Sequence, residues 1–182
     1  RFLELNHHAP IYLGAAPGVG KTFAMLGEGR RRQARGADVA VGLVECHGRP
    51  RTEEMVDGLE VVPRRELEHR GSSFTELDVD AVIARHPKVA LIDELAHTNV
   101  PGDPPPRHEK RWQDVKAVLD AGITVFTTLN VQHLESLYDH VERMIGVRVH
   151  ERLPDSILAE ADEIVNVDLA AEFTNLITTQ RA

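Results

Sequence analysis

Short apolar runs alternate along this chain with longer amphipathic stretches, and turn residues separate the two kinds of segment. That alternation predicts βα units around a mostly parallel sheet. PIYLGAA at 10–16 is read as the first strand, and 22–35 as the helix after it, with Phe23, Met25 and Leu26 supplying apolar contact. The Val-rich run 37–45 follows the breaker Gly36 and is too short for a helix, so it is read as a second strand. A short helix over 51–58, a minor strand LEVV and a helix over 78–85 follow. KVALIDE at 88–94 is the strongest buried-strand pattern, because four apolar residues run into two adjacent acids at the C-terminal end of the strand. HTNVPGDPPPR is a loop, since its prolines remove backbone donors. Beyond it the pattern predicts a helix over 109–121, a strand ITVFTTLN and a helix over 132–145 stopping at Gly146. VRVHERL at 147–153 and EIVNVD at 163–168 read as two more strands, with a helix over 155–161 between them.

Composition narrows the class without changing this picture. The chain has 182 residues, 42% hydrophobic and 27% charged, which fits one globular domain. Its formal charge of -8 argues against nonspecific phosphate-backbone binding, so no nucleic-acid partner is expected. The single cysteine, Cys46, forms no internal disulfide and leaves no CxxC for structural zinc, which fits a reducing, cytoplasmic setting. No apolar run approaches the roughly 20 residues of a membrane span. The start at RFLELNHHAP and the stop at LITTQRA suggest a fragment: residues 1–9 read as linker, 10–169 as the folded domain, and 170–182 as an extension toward a further domain. Arg30, Arg31, Arg32 and Arg35 form a basic cluster, read as a solvated helix C-terminus favoured by the helix dipole rather than a binding patch.

The chemistry starts at Ala15-Ala16-Pro17-Gly18-Val19-Gly20-Lys21-Thr22, between the first strand and its helix. A loop of this composition wraps its N–H groups into a concavity for an anion, and the helix N-terminus adds partial positive charge. Ala16, Pro17, Gly18, Val19 and Gly20 would cradle phosphates, Lys21 would reach the β- and γ-phosphates, and the Thr22 hydroxyl would hold Mg²⁺, as in a Walker A P-loop. The strict pattern has Gly where this chain has Ala15, with Gly14 immediately before. Read alone, the segment is also an ordinary Gly/Pro turn before Lys-Thr. Asp93 decides between the two readings, since an acid ending a buried strand is what Mg²⁺ requires. A bound cation would also offset repulsion between Asp93 and Glu94. ATP and Mg²⁺ are therefore the expected ligands.

Glu94 reads as the general base or water-orienting group, next to the metal-holding acid but pointing elsewhere on the pleat, or else as a strand-capping surface acid. Asn130 would sense a γ-phosphate or water, or cap the following helix. Glu45, Cys46, His47 and Arg49 follow the second strand, and His97, Thr98 and Asn99 the third. The histidines match no zinc spacing. Arg107, Lys110 and Arg111 are read either as a basic loop closing over the γ-phosphate or as a solvated helix start.

GAAPGVGKTFAML, VGLVECHGR, LIDELAHTNVPG, RHEKRWQDV, AGITVFTTLNVQHLESL, VHERLPD and ADEIVNVDL together resemble the N-terminal cytoplasmic domain of the KdpD family of potassium- and turgor-sensing histidine kinases, over roughly 10–169. GDPPPRHEKRW is longer than the corresponding family segment. The resemblance implies an α/β P-loop NTPase-like three-layer sandwich acting as an ATP-binding regulatory domain with slow hydrolysis. It implies downstream sensor and histidine kinase domains, a cognate response regulator, a potassium-pump subunit as a further partner, and a membrane location for the full-length protein. An alternative is a phosphotransferase carrying the γ-phosphate to a protein Ser or Thr or to a nucleoside, with Glu94 as base. Thymidine-kinase-like enzymes share the motif order, but they commonly carry a structural zinc that one cysteine cannot build. A third reading is an interaction module with a vestigial loop, against which stand the intact Lys21, Thr22, Asp93 and Glu94.

Overall fold

The computed structural model describes residues 9–137, 142–143, 146 and 150–168. Six strands form one parallel sheet: β1 (Pro10–Gly14), β2 (Val39–Leu43), β3 (Glu60–Val61), β6 (Val89–Ile92), β7 (Thr124–Asn130) and β8 (Glu163–Val167), in the order β3-β2-β6-β7-β1-β8. The central strands are apolar at successive positions because both faces of the sheet are covered. Alternate residues go to opposite cores. Ile11, Leu13, Ala90 and Ile92 face one cluster, with Val82 of α3 (Val79–Arg85) and Val115 and Val118 of α4 (Arg111–Asp120). Tyr12, Val89 and Leu91 face the other, with Met25 and Leu26 of α1 (Lys21–Ala34) and Met55 and Val56 of α2 (Pro50–Val56). The result is the expected α/β three-layer arrangement, consistent with a P-loop NTPase-like sandwich. A further short helix, α5 (Ser156–Glu160), covers the first core through Leu158.

Close approach of α1 to the sheet depends on one missing side chain. A Cβ on Gly29 would lie 2.7 Å from Leu91 Cδ1. Leu91 is wholly buried, so the helix rests directly on it. Burial of such a leucine contributes about 1.5–3 kcal/mol. At its other end α1 carries the residues of the cleft described below.

Three expectations need correction. The first is the stretch between 62 and 78, which holds an antiparallel hairpin, β4 (Arg65–His69) and β5 (Ser72–Glu76), outside the main sheet. The second is the helix expected over 132–145. It is preceded by a 3₁₀ turn, Val131–His133, and by Leu134, which bridges Leu153. Residues 138–141 and 144–145 lie outside the described residues, while Gly146 has φ 66° and donates to Glu142 O at 2.8 Å, as a helix-ending glycine does. The third is the strand expected over 147–153. Residues 147–149 lie outside the described residues, and of the rest only Leu153 pairs. Of the expected linker 1–9, residues 1–8 with His7 and His8 lie outside the described residues, as do residue 169 and the whole expected extension 170–182.

Candidate functional site

The C-terminal ends of β1, β2, β6 and β7 open onto one cleft of about 330 Å³. This is where a parallel sheet with helices on both faces leaves backbone groups and loop side chains free for a ligand. Pro17, Gly18, Lys21, Thr22, Asp93, Glu94 and Asn130 all line it, so seven of the residues singled out from sequence converge. Ala16, Val19 and Gly20 do not line the cleft and instead shape the loop that does.

Gly18 and Gly20 have φ of 87° and 99°, in the left-handed region that glycine tolerates, and Gly20 is the residue before the first turn of α1. A Cβ on Gly14 would lie 2.6 Å from Val19 Cγ2 and 2.8 Å from Lys21 Cδ. The bare backbone at Gly14 therefore provides the room into which Val19 and the Lys21 stem fold. Lys21 Nζ donates to Ala16 O at 2.8 Å, curling back over its own loop. Burial holds its pKa below the ordinary lysine value, opposed by the charge of Asp93 and aided by that of Arg49. A buried, incompletely neutralised ammonium attracts an anion.

Asp93 is the hub of the cleft and is 2% exposed. Its carboxylate accepts from Thr22 Oγ1 at 3.0 and 3.2 Å, from the N–H groups of Glu45 and Glu94 at 3.2 Å each, and from Thr128 Oγ1 in a short contact. Thr128 sits on β7, the strand between β1 and β6, and its hydroxyl also accepts from Glu94 N at 3.0 Å. The repulsion expected between adjacent carboxylates is thus relieved by the protein's own donors. What bears on a cation is the pairing itself: one hydroxyl and one carboxylate at contact distance, the donor set Mg²⁺ takes when phosphates and water complete its shell.

Glu94 is not on the pleat. The strand ends at Ile92, and Glu94 has φ 58°, a left-handed conformation that swings its side chain across the cleft mouth. There Glu94 Oε1 lies 3.2 Å from His47 Nε2, and Oε2 lies 3.8 Å from Arg111 Nη1. Asn130, weighed as a helix cap, makes no capping hydrogen bond, and its Oδ1 is buried without a hydrogen-bond partner. This leaves it as an acceptor on the cleft wall.

The basic loop residues go elsewhere. Arg107 Nη1 pairs with Asp80 of α3, beside a separate cavity. Lys110 Nζ donates to Thr98 Oγ1 at 2.6 Å. Arg111 is 2% exposed and donates to Glu76 Oε2 at 2.7 Å and to Asp93 O at 3.3 Å. It is neither a solvated helix start nor a residue closing over the cleft from outside, but an internal tie between β5, β6 and α4. Burial pushes Glu76 up, but the hydrogen bond and charge of His97, the Val100 N–H and Arg111 outweigh it, so its pKa lies below the usual glutamate value. The basic cluster on α1 is partly engaged: Arg31 and Arg32 pair with Glu28, and Arg30 donates to backbone carbonyls of Met55 and Asp57. Sequence reasoning missed the role of Glu76. Nothing in RELEHRGSSFTE marks its last acid as internal.

A family model described as "Osmosensitive K+ channel His kinase sensor domain", KdpD, matches residues 7–178. The chain belongs to the KdpD family. "Sensor protein KdpD" of Mycobacterium tuberculosis is 56% identical over 162 residues, covering 89% of this chain and 18% of that relative. The protein of the same name from Escherichia coli K12 is 52% identical over 159 residues, 87% of this chain and 17% of the relative. "Putative sensor protein KdpD" of Synechocystis is 52% identical over 162 residues, covering 43% of that relative. The chain thus spans less than half the length of each of these KdpD relatives, and under a fifth of the first two. The KdpD match includes every residue of the cleft. Among the described residues, no helix is long and apolar enough to cross a membrane.

Proposed function

We propose that this is the Mg-ATP-binding regulatory domain of a KdpD-type sensor histidine kinase, acting in a two-component system that controls potassium uptake. The observation that carries this reading is the meeting of Thr22 with Asp93 at 3.0 Å, directly after the buried Lys21 at the start of a helix. A hydroxyl, a carboxylate and a buried ammonium under one glycine-bearing loop are what a triphosphate and its cation need. Thr22 and Asp93 would hold the cation, which would supply charge neutralisation on the phosphates. Lys21 would exchange Ala16 O for phosphate oxygens, and Asn130 Oδ1 would accept from a ligand hydroxyl or a water. Glu94, oriented by His47 and Arg111, would position a water for slow hydrolysis. Arg111 gives the cleft a mechanical connection outward, because it holds Asp93 O with one nitrogen and Glu76 of the hairpin with another. In the full-length protein that connection would bias the sensor and kinase domains, and through them the response regulator. Calorimetry tests the reading: the native protein binds MgATP, and Lys21→Ala weakens binding at least about tenfold, since charge-assisted hydrogen bonds to phosphate are lost. Equal affinity in the two proteins refutes it.

A further inference from the structure

The segment between β2 and α2 forms a turn that leans over the cleft. His47 and Gly48 have φ of 50° and 67°, and Arg49 N donates to Cys46 O at 3.0 Å, which together make a type I′ turn. Two anchors hold the turn. His47 Nε2 meets Glu94 Oε1 at 3.2 Å, and Arg49 O accepts from the N–H groups of Thr52 and Glu53 at 3.0 Å, opening α2.

The backbone at Arg49 is fixed, and its guanidinium reaches the β1–α1 loop. Arg49 Nη2 lies 3.0 Å from the point a Cβ on Gly18 would occupy. Both residues line the same cleft as Lys21 and Thr22. Among the described residues, no carboxylate or carbonyl accepts a hydrogen bond from this guanidinium, although other arginines around it are engaged: Arg64 by Glu45 and Val44 O, Arg107 by Asp80 and Arg111 by Glu76. Two cations therefore border the same glycine loop and the same cleft. After burial, the Arg49 charge contributes to holding the Lys21 ammonium below its ordinary value, as a like charge does, against the opposing charges of Asp93 and Glu94.

We infer that Arg49 is a second phosphate clamp that reads the terminal phosphate, making the cleft selective for a nucleoside triphosphate over the diphosphate. This rests on the nucleotide reading above. Arg49 leans in from the β2 side, where Asp93 and Glu94 also lie, and this is the side on which a cation held by Thr22 and Asp93 would place the last phosphate. The planar fork of an arginine matches two phosphate oxygens at once, which a surface lysine cannot do. Gly18 lies beneath it: its φ of 87° strains any side chain, and a Cβ there would crowd Arg49 Nη2 at 3.0 Å.

The test is calorimetric titration of the native protein, Arg49→Ala, Arg49→Lys and Lys21→Ala with the Mg²⁺ complexes of ADP and of a non-hydrolysable ATP analogue. Arg49→Ala is expected to weaken the triphosphate about tenfold or more while ADP affinity stays within about threefold, with Arg49→Lys intermediate and Lys21→Ala weakening both. Arg49 is exposed, so its variants should melt with the native protein, and Arg49→Lys reads the fork separately from the charge. Equal weakening of both ligands by Arg49→Ala, no weakening of either, or a native protein without preference for the triphosphate overturns the proposal. A native protein that binds neither ligand overturns the nucleotide reading itself.

Discussion

Arg111→Met is the most informative perturbation of this domain. It removes the guanidinium that joins Glu76, Asp93 O and Glu94 while keeping most of the side-chain volume. The Arg111 and Glu76 side chains are 2% and 6% exposed and meet at 2.7 Å. Removing one member of so buried a pair typically costs about 3–5 kcal/mol, because the remaining charge is stranded. Glu76 keeps its contacts with His97 and Val100 N, at 2.8 and 3.0 Å, which places the expected loss toward the lower figure. For a domain of this size each kcal/mol lowers Tm by roughly 2–4 °C, so a drop of roughly 6–12 °C is expected by calorimetry. Glu76→Gln in the Arg111→Met background should recover part of that loss, since it removes the stranded charge and retains an acceptor for His97 and Val100. A coupling of at least about 1 kcal/mol in the double-mutant cycle is the signature. If Arg111→Met melts within about 2 °C of the native protein, or if the two changes simply add, the internal tie between hairpin and cleft does not exist as described.

Two further outcomes follow from the same geometry. The Glu76 carboxyl has a pKa depressed below its ordinary 4.5, so its contribution to stability is complete above that pH and is lost as pH falls through the depressed value; the stability gap between native protein and Glu76→Gln, followed by urea unfolding, should hold steady near neutrality and close below about pH 4.5, and a gap that widens there contradicts the assignment. Gly102→Ala should cost about 1–3 kcal/mol and raise amide exchange in β4 and β5, because a Cβ there would lie 2.2 Å from Leu67 Cδ1 and 2.6 Å from Glu68 O, with the latter unable to move without shifting the hairpin; unchanged exchange would mean that the loop is not docked on β4.

The centre of the sheet was legible because β1, β2 and β6 are buried on both faces. VALI and VAVGL read as strands without any alternation, and the helix-length stretches between them left little choice but parallel pairing. The hairpin was not legible for the opposite reason. Leu67 is the only apolar residue among β4 and β5 that is buried, and the turn residues Arg70 and Gly71, at φ 50° and 77°, lack the Asn or Asp that usually announces such a turn. In the cleft, Lys21, Thr22 and Asp93 were readable because each belongs to a spacing with a chemical reason. Arg107 and Arg111 looked alike in sequence, as cations beside a proline-rich loop. Only the fold shows that one lies against α3 and the other is sealed inside. Arg49 was legible only as one of several polar residues after the second strand, since its place over the glycine loop depends on a turn that brings it to a segment some thirty residues earlier in the chain.

The position of β7 between β1 and β6 has a geometric consequence. Hydrogen-bonded strands keep a separation of about 4.8 Å, so the tips of β1 and β6 stand roughly 10 Å apart whatever side chains they bear. The sheet therefore acts as a gauge block for the cleft, dimensioned by main chain alone. Loops on its rim are free to diverge in sequence and length while the opening they border keeps its width, and Thr128 and Asn130, seated on the middle strand, line it from within that fixed span.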